Sequence, residues 1–287
     1  MPDKSAGPLQ ASVTTPDGFR LWTARHTGGD TPTLFCHGGP GAWDNLAPVA
    51  HLITPAATSW RWDQRGCGRS DRTGPYTLAQ TLDDLDTVRA HTGHTTVALL
   101  GHSYGAHLVL LYALQHPNRA RALVYVSGTG IDAEATWHSH YKSGKQQAIQ
   151  RHQQWVTLSE LPERTPAQER VLAAINSSGD YADPVASLHH AQVEVDTGFT
   201  PNKQCNKSIN TELRAQDPGQ LAAACAQLTI PVLVVDGAHD IRPRWSVDSL
   251  ITALPNVQRV TLDAGHLPWV EQPDAFAAAV TQFLQPS

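Results

Sequence analysis

The chain has 287 residues, 40% of them apolar and 16% charged, which is enough hydrophobic material for a packed core and excludes the disordered class. Its formal net charge of -5 is spread without a basic run, so neither a nucleic-acid backbone nor an anionic membrane surface is the expected partner. The opening MPDKSAGPLQ lacks an apolar leader core and no later run approaches the roughly 20 apolar residues that span a bilayer, so a cytoplasmic place is expected.

Short β-like runs and turns fill the first third: Leu9 to Val13, a turn at Pro16-Asp17-Gly18, Phe19 to Thr23, Thr33 to Phe35, and Thr58 to Trp62. Thr77, with Gln80 three residues on, reads as a capping box, and Leu78, Leu82, Leu85 and Val88 then recur at helical spacing as far as Gly93. Thr96 to Leu100 is an apolar strand; Gly101-His102-Ser103-Tyr104-Gly105 follows, and then a helical stretch from Ala106 to His116 stopped by Pro117. Ala122 to Val126 forms another strand, and the alternation resumes at Pro231 to Asp236, Gln258 to Leu262, and a last helix from Pro273. This rhythm predicts an α/β class: a mostly parallel sheet with helices on both faces.

Between Ile131 and Gln227 glutamine, histidine and tryptophan rise and buried-strand runs disappear, so an inserted, mainly helical segment is expected. The expected organisation is a core in two parts, residues 1–130 and 228–287, with a helical cap over residues 131–227. The insertion leaves from the end of a strand, and open α/β sheets bind ligands at that edge, which makes it a lid over an active site.

Four cysteines, Cys36, Cys67, Cys205 and Cys225, lie far apart with no Cys-x-x-Cys, and read as reduced thiols. Fifteen histidines come without a His-Glu-x-x-His, so no metal is expected.

GHSYG carries the chemistry. Its glycines let a strand turn abruptly into a helix with the serine hydroxyl exposed, the nucleophile elbow of α/β-hydrolases. A serine needs a base to take its proton and a carboxylate to fix that base's tautomer. The chain order Ser, acid, His selects His266, after Ala264-Gly265 in the loop following the last strand; His239 is the competitor and reads as structural. Asp240, in the loop beyond PVLVVDG, is the acid candidate, ahead of Asp236 at the strand end, Asp263 in a turn, and Asp132. Cys36-His37-Gly38-Gly39-Pro40-Gly41 follows a strand and brings backbone N–H groups towards the elbow; the oxyanion donors expected are those of Gly39, or else Gly38, and of Tyr104.

With these residues placed, the chain resembles the proline iminopeptidase group of α/β-hydrolases, through HGGPG at 37–41, DQRGCGRS at 63–70, GHSYG at 101–105, GAHD ending at Asp240, and AGH ending at His266. It departs from that group with GHSYG where GGSWG is usual, and with His239 where an aromatic precedes the acid; both positions shape a substrate pocket. The resemblance implies a substrate with a free amino terminus, a short peptide or small molecule, its ammonium held by cap carboxylates. Ala191-Gln192-Val193-Glu194 looks like the helix that supplies one, making Glu194 the first candidate and Glu212 the second. Trp137, Tyr141, Trp155, Tyr181 and Phe199 are candidates for the pocket wall, and Asp63, Arg65 and Arg69 for ion pairs within their loop.

The expected reaction is hydrolysis of an N-terminal aminoacyl amide through an acyl-enzyme, with no cofactor. The alternative is an esterase, lactonase or thioesterase using the same three residues without amine recognition, because the fold does not fix the leaving group.

Overall fold

The computed structural model describes residues 8–285. Eight strands form one sheet: β1 (Leu9–Thr14), β2 (Arg20–His26), β3 (Thr31–Cys36), β4 (Ala57–Trp62), β5 (Val97–His102), β6 (Ala120–Val126), β7 (Val232–Gly237) and β8 (Val257–Leu262). Their order is β1-β2-β4-β3-β5-β6-β7-β8, with β1 and β2 antiparallel at one edge and the other six parallel.

Side chains of a strand alternate between faces, and the central strands β3, β5 and β7 are buried at every position because both faces are covered. Leu34, Leu99, Leu123 and Val234 point to one layer, formed by α2 (Leu78–His91) and α3 (Tyr104–Gln115). Their neighbours Phe35, Leu100, Val124 and Val235 point to the other, with Val49 of a short helix α1 (Ala47–Leu52) and Phe276 and Val280 near the carboxyl terminus. At α2 the Thr77 hydroxyl accepts from Gln80 N–H at 3.1 Å, but the Gln80 side chain turns to Asp84 at 3.2 Å, so the expected capping box is half present.

Between β6 and β7 runs the helical insertion: α4 (His138–Gln150), α5 (Gln154–Glu160), α6 (Pro166–Ser177), α7 (Ser187–Val195) and α8 (Lys203–Arg214), then α9 (Pro218–Cys225), whose buried Cys225 joins the core of the α2/α3 layer. The chain finishes with α10 (Asp248–Ala253), α11 (Pro268–Glu271) and α12 (Pro273–Leu284). No helix among the described residues is long and apolar enough to cross a membrane. The four cysteines are free and buried, and Cys67 and Cys205 both lie against the Arg65 carbonyl, at 3.6 and 3.9 Å.

Strand order reverses between β3 and β5, since the chain passes from β3 to β4 on one side and returns to β5 on the other. Cys36 pairs with Gly101, so the loops after β3 and β5 leave the sheet side by side at its carboxyl edge. That crevice is where this class of sheet binds ligands.

Candidate active site

Two close approaches shape the elbow. A Cβ on Gly101 would lie 2.1 Å from the Gly105 carbonyl oxygen, and one on Gly105 would lie 2.1 Å from the carbonyl oxygen of Cys36 on the neighbouring strand. Any side chain at either position would push α3 off the sheet. Ser103 is held at φ 56°, ψ -120°, a conformation that non-glycine residues avoid and that tight turns at functional sites enforce.

The loop after β3 faces this turn. A Cβ on Gly38 would come within 3.2 Å of Ser103 Cβ, a tight contact that glycine avoids. Gly39 and Tyr104 line one cavity with Ser103, and Tyr104 is the first residue of α3, where N–H groups lack an intrahelical partner. The loop is braced from below: Gln64 N–H donates to His37 Nε2 at 3.1 Å, and the Gln64 side chain donates to the His37 carbonyl at 2.9 Å. Asp63 accepts from Asp44 N–H at 2.7 Å and from Arg69 Nε at 2.5 Å, while Arg61 reaches Asp44. The Asp63–Arg69 pair lies within its own loop, as expected, and the bonds to His37 and Asp44 tie that loop to the one after β3.

His266 and Asp240 meet after the last two strands. Asp240 Oδ2 lies 2.5 Å from His266 Nδ1, and both side chains are almost fully covered. Burial opposes a charge on Asp240, but His266 and Arg242 outweigh it and hold the carboxyl below its ordinary value. His102, one residue before Ser103, places its ring 4.7 Å from that of His266, with its Nε2 3.1 Å from the His266 carbonyl oxygen. Burial pushes His102 well down, so it stays neutral and donates there from Nε2. The competing groups lie elsewhere. His239 pairs with Asp263 at 2.7 Å, and Asp236, inside β7 rather than capping it, pairs with Arg259 at 2.5 Å.

A cavity of about 300 Å³ opens on Ser103. Its wall includes Trp137, just ahead of α4, and Tyr141 of α4 with Asn210 and Leu213 of α8, so the insertion covers the crevice. Trp155, Tyr181 and Phe199 are not part of that wall: Trp155 donates to Asn176, Tyr181 to Glu194, and Phe199 packs on Trp43.

The structure separates the two cap carboxylates. Glu212 Oε2 accepts from Leu78 N–H at 2.8 Å and so caps the start of α2, which corrects its expected place in the substrate pocket. A helix carboxylate within reach of a neighbouring helix's first N–H groups finds a ready partner. Glu194 is half-buried on α7, with Tyr181 Oη at 3.2 Å and Asn45 Nδ2 at 3.4 Å. No Lys, Arg or His among the described residues lies within ion-pair distance of it. Burial, reinforced by Asp180, pushes its carboxyl above the ordinary value, while His266 pulls it back. Glu194 does not line the 300 Å³ cavity; it stands on the His266 side of the site.

Two charged residues here had no place in the sequence reading, Asp180 and Arg242. Arg242 stands two residues after Asp240, a visible signal; Asp180 has none, because a single turn of the insertion brings it in.

Residues 31–273 match the α/β-hydrolase fold family. The chain belongs to that family. Among its members, a proline iminopeptidase of Saccharolobus solfataricus is 37% identical over 115 residues, 38% of this chain and 36% of that one. One of Levilactobacillus brevis is 26% identical over 267 residues, 88% of each chain. A crystal structure of the Mycobacterium smegmatis proline iminopeptidase superposes with a TM-score of 0.70 at 22% identity, over 96% of this chain and 97% of that one, a likeness of fold. As an α/β-hydrolase, the chain owes its elbow, acid and histidine to the ends of β5, β7 and β8.

Proposed function

We propose that this α/β-hydrolase is a serine aminopeptidase that removes an N-terminal aminoacyl group, prolyl or another small residue, from a short peptide or small metabolite. Glu194 carries the reading: a half-buried carboxylate with no cation in reach among the described residues is a poor arrangement alone and a good one for a substrate ammonium. The names of the relatives point the same way.

In this reading Ser103 attacks the acyl carbon and His266 takes its proton, with Asp240 fixing the imidazole so that Nε2 faces the serine. The N–H groups of Gly39 and Tyr104 receive the developing oxyanion. His266 then protonates the leaving amine, and water, deprotonated by the same ring, releases the acyl group. The helices of residues 131–227 act as the cap that shields these steps from solvent, and the steps need no cofactor. Neither nucleic acid nor membrane enters, and the cytoplasm is the expected setting.

The second reading, an esterase, lactonase or thioesterase, draws on the position of Glu194 outside the cavity that opens on Ser103. The deciding measurement is kcat/KM for prolyl or alanyl p-nitroanilide against the N-acetylated compound, with Ser103→Ala as blank. The aminopeptidase predicts a preference for the free amine of about a hundredfold or more that Glu194→Ala removes. Equal or better turnover of the blocked compound removes the amine site, and turnover of p-nitrophenyl acetate in its place favours the esterase reading.

A further inference from the structure

Asp180 and Arg242 are charged, largely covered, and unused by the steps above. Asp180 ends a single 3-10 turn of the insertion, Ser178–Asp180, and Arg242 follows Asp240 by two residues. Arg242 Nη1 donates to Asp180 Oδ1 at 2.7 Å and to Asp240 Oδ1 at 3.4 Å, and the Arg242 backbone N–H donates to the same Asp240 oxygen at 2.9 Å. That leaves Asp240 Oδ2 for His266. The backbone carbonyl of Asp180 accepts from His266 N–H at 2.7 Å. One residue of the insertion therefore holds the chain at the base and, through Arg242, the carboxylate that orients it. The Arg242 guanidinium also lies 4.9 Å from the centre of the Tyr141 ring, which ties α4 to the same group.

Seating a helical segment does not require such a pair, because apolar contacts would do so without desolvating two charges. The side chains of Arg242 and Asp180 are 18% and 23% exposed, so water screens them little. We propose that Asp180 and Arg242 are positioning residues through which the seating of the inserted segment sets the geometry of the Asp240–His266 pair. The proposal rests on the roles given to Ser103, Asp240 and His266, and not on amine recognition by Glu194.

Asp240 faces the His266 ring from the loop after β7, Asp180 bonds the His266 backbone from the 3-10 turn, and the His102 ring of β5 lies 4.7 Å from it. Arg242 also lines the cavity that opens on Ser103, whereas Asp180 does not, so Asp180 separates positioning from contact with substrate. A residue that only held the fold would lower the melting temperature and leave kcat in place wherever the variant still folds.

The test is kcat, KM and melting temperature for the parent, Asp180→Asn, Arg242→Gln and Arg242→Lys, using whichever of prolyl p-nitroanilide and p-nitrophenyl acetate the parent hydrolyses faster. Asn keeps the size of Asp180 and its backbone carbonyl. The expected result is a fall in kcat of about tenfold or more in the Asn and Gln variants and a smaller one in Arg242→Lys, with KM changed less than about twofold in Asp180→Asn and the melting temperature within about 3 °C of the parent. Unchanged kcat in folded Asp180→Asn, or a loss carried by KM or by melting temperature alone, overturns the proposal. Should the Asn or the Gln variant fail to fold, Arg242→Lys decides: reduced kcat at the parent's melting temperature supports the proposal and unchanged kcat overturns it. Parent turnover that survives Ser103→Ala is a different failure, of the catalytic roles themselves.

Discussion

Ser103 sits in a conformation its neighbours force on it, and the force comes from two glycines whose missing side chains let β3, β5 and α3 touch. Replacing Gly105 by Ala places a methyl 2.1 Å from the Cys36 carbonyl, so the helix must shift. The expected cost is about 3 kcal/mol or more, read as a lower urea midpoint together with loss of activity. Ser103→Ala, by contrast, removes only an oxygen: turnover should fall by about 10⁴-fold or more and labelling by a fluorophosphonate should vanish, while the melting temperature stays within about 3 °C of the parent. At this scale the sequence is informative where chain order and loop position restrict the choice, as for Ser103, Asp240 and His266. It is silent where a partner is set by how two helices happen to pack. Glu212 and Glu194 both read as helix carboxylates, and only the tertiary structure sends one to the N–H of Leu78 and leaves the other beside Tyr181 and Asn45.

Helix α2 is fastened to the sheet edge by a charge cluster rather than by its apolar face alone. Arg65, buried in the loop after β4, grips Asp84 of α2 through two N–H bonds of 2.8 Å and Asp17 of the β1–β2 turn through bonds of 2.8 and 3.0 Å. Asp84→Ala would leave the guanidinium covered with half its partners gone, and should destabilise the fold by about 3–5 kcal/mol in urea titration. A loss below about 1 kcal/mol would show that water replaces the carboxylate at Arg65. The ion-pairing of Arg65 was expected within its own loop; its reach to α2 and to Asp17 is a tertiary fact. The eight strands were legible because runs such as Val97–Leu100 and Val232–Val235 are apolar without interruption, while α1, α10 and α11, of six, six and four residues, are too short to show a helical period. HGGPG was legible as a turn near the elbow, but not its second duty. Gly41, at φ 82°, carries no side chain because Asn202 lies on it: a Cβ would come within 2.4 Å of the Asn202 carbonyl oxygen, and Asn202 N–H bonds the Gly41 carbonyl at 2.7 Å.

For the molecule as a whole, several histidines are enclosed uncharged, which sets the direction of its pH stability. Burial, with Arg61 close by, takes His26 from 6.5 down to about 4, and burial also pushes down His37, His102 and His107. Each of these groups binds its proton more readily in the unfolded chain. Their contribution is therefore complete above about pH 6.5 and is lost as pH falls towards the lowered values, near 4 for His26. Carboxylates extend the loss: Asp86, half-buried but bonded to Arg89 and Tyr112, is held near 2, and its share goes between 3.8 and about 2. Asp44, Asp84 and Glu194 act in the opposite sense, because burial pushes them up and protonation in the fold relieves them. The histidines titrate first on the way down, so the melting temperature should be level above about pH 7 and fall steadily from about 6.5 to 5. His26→Gln, which keeps an acceptor towards Arg61 without a titrating ring, should fall less steeply than the parent over that range. A melting temperature that holds or rises down to pH 5 would mean that the raised carboxyls take up protons over the same interval and outweigh the histidines, placing the acid limit of the fold in the carboxylates alone.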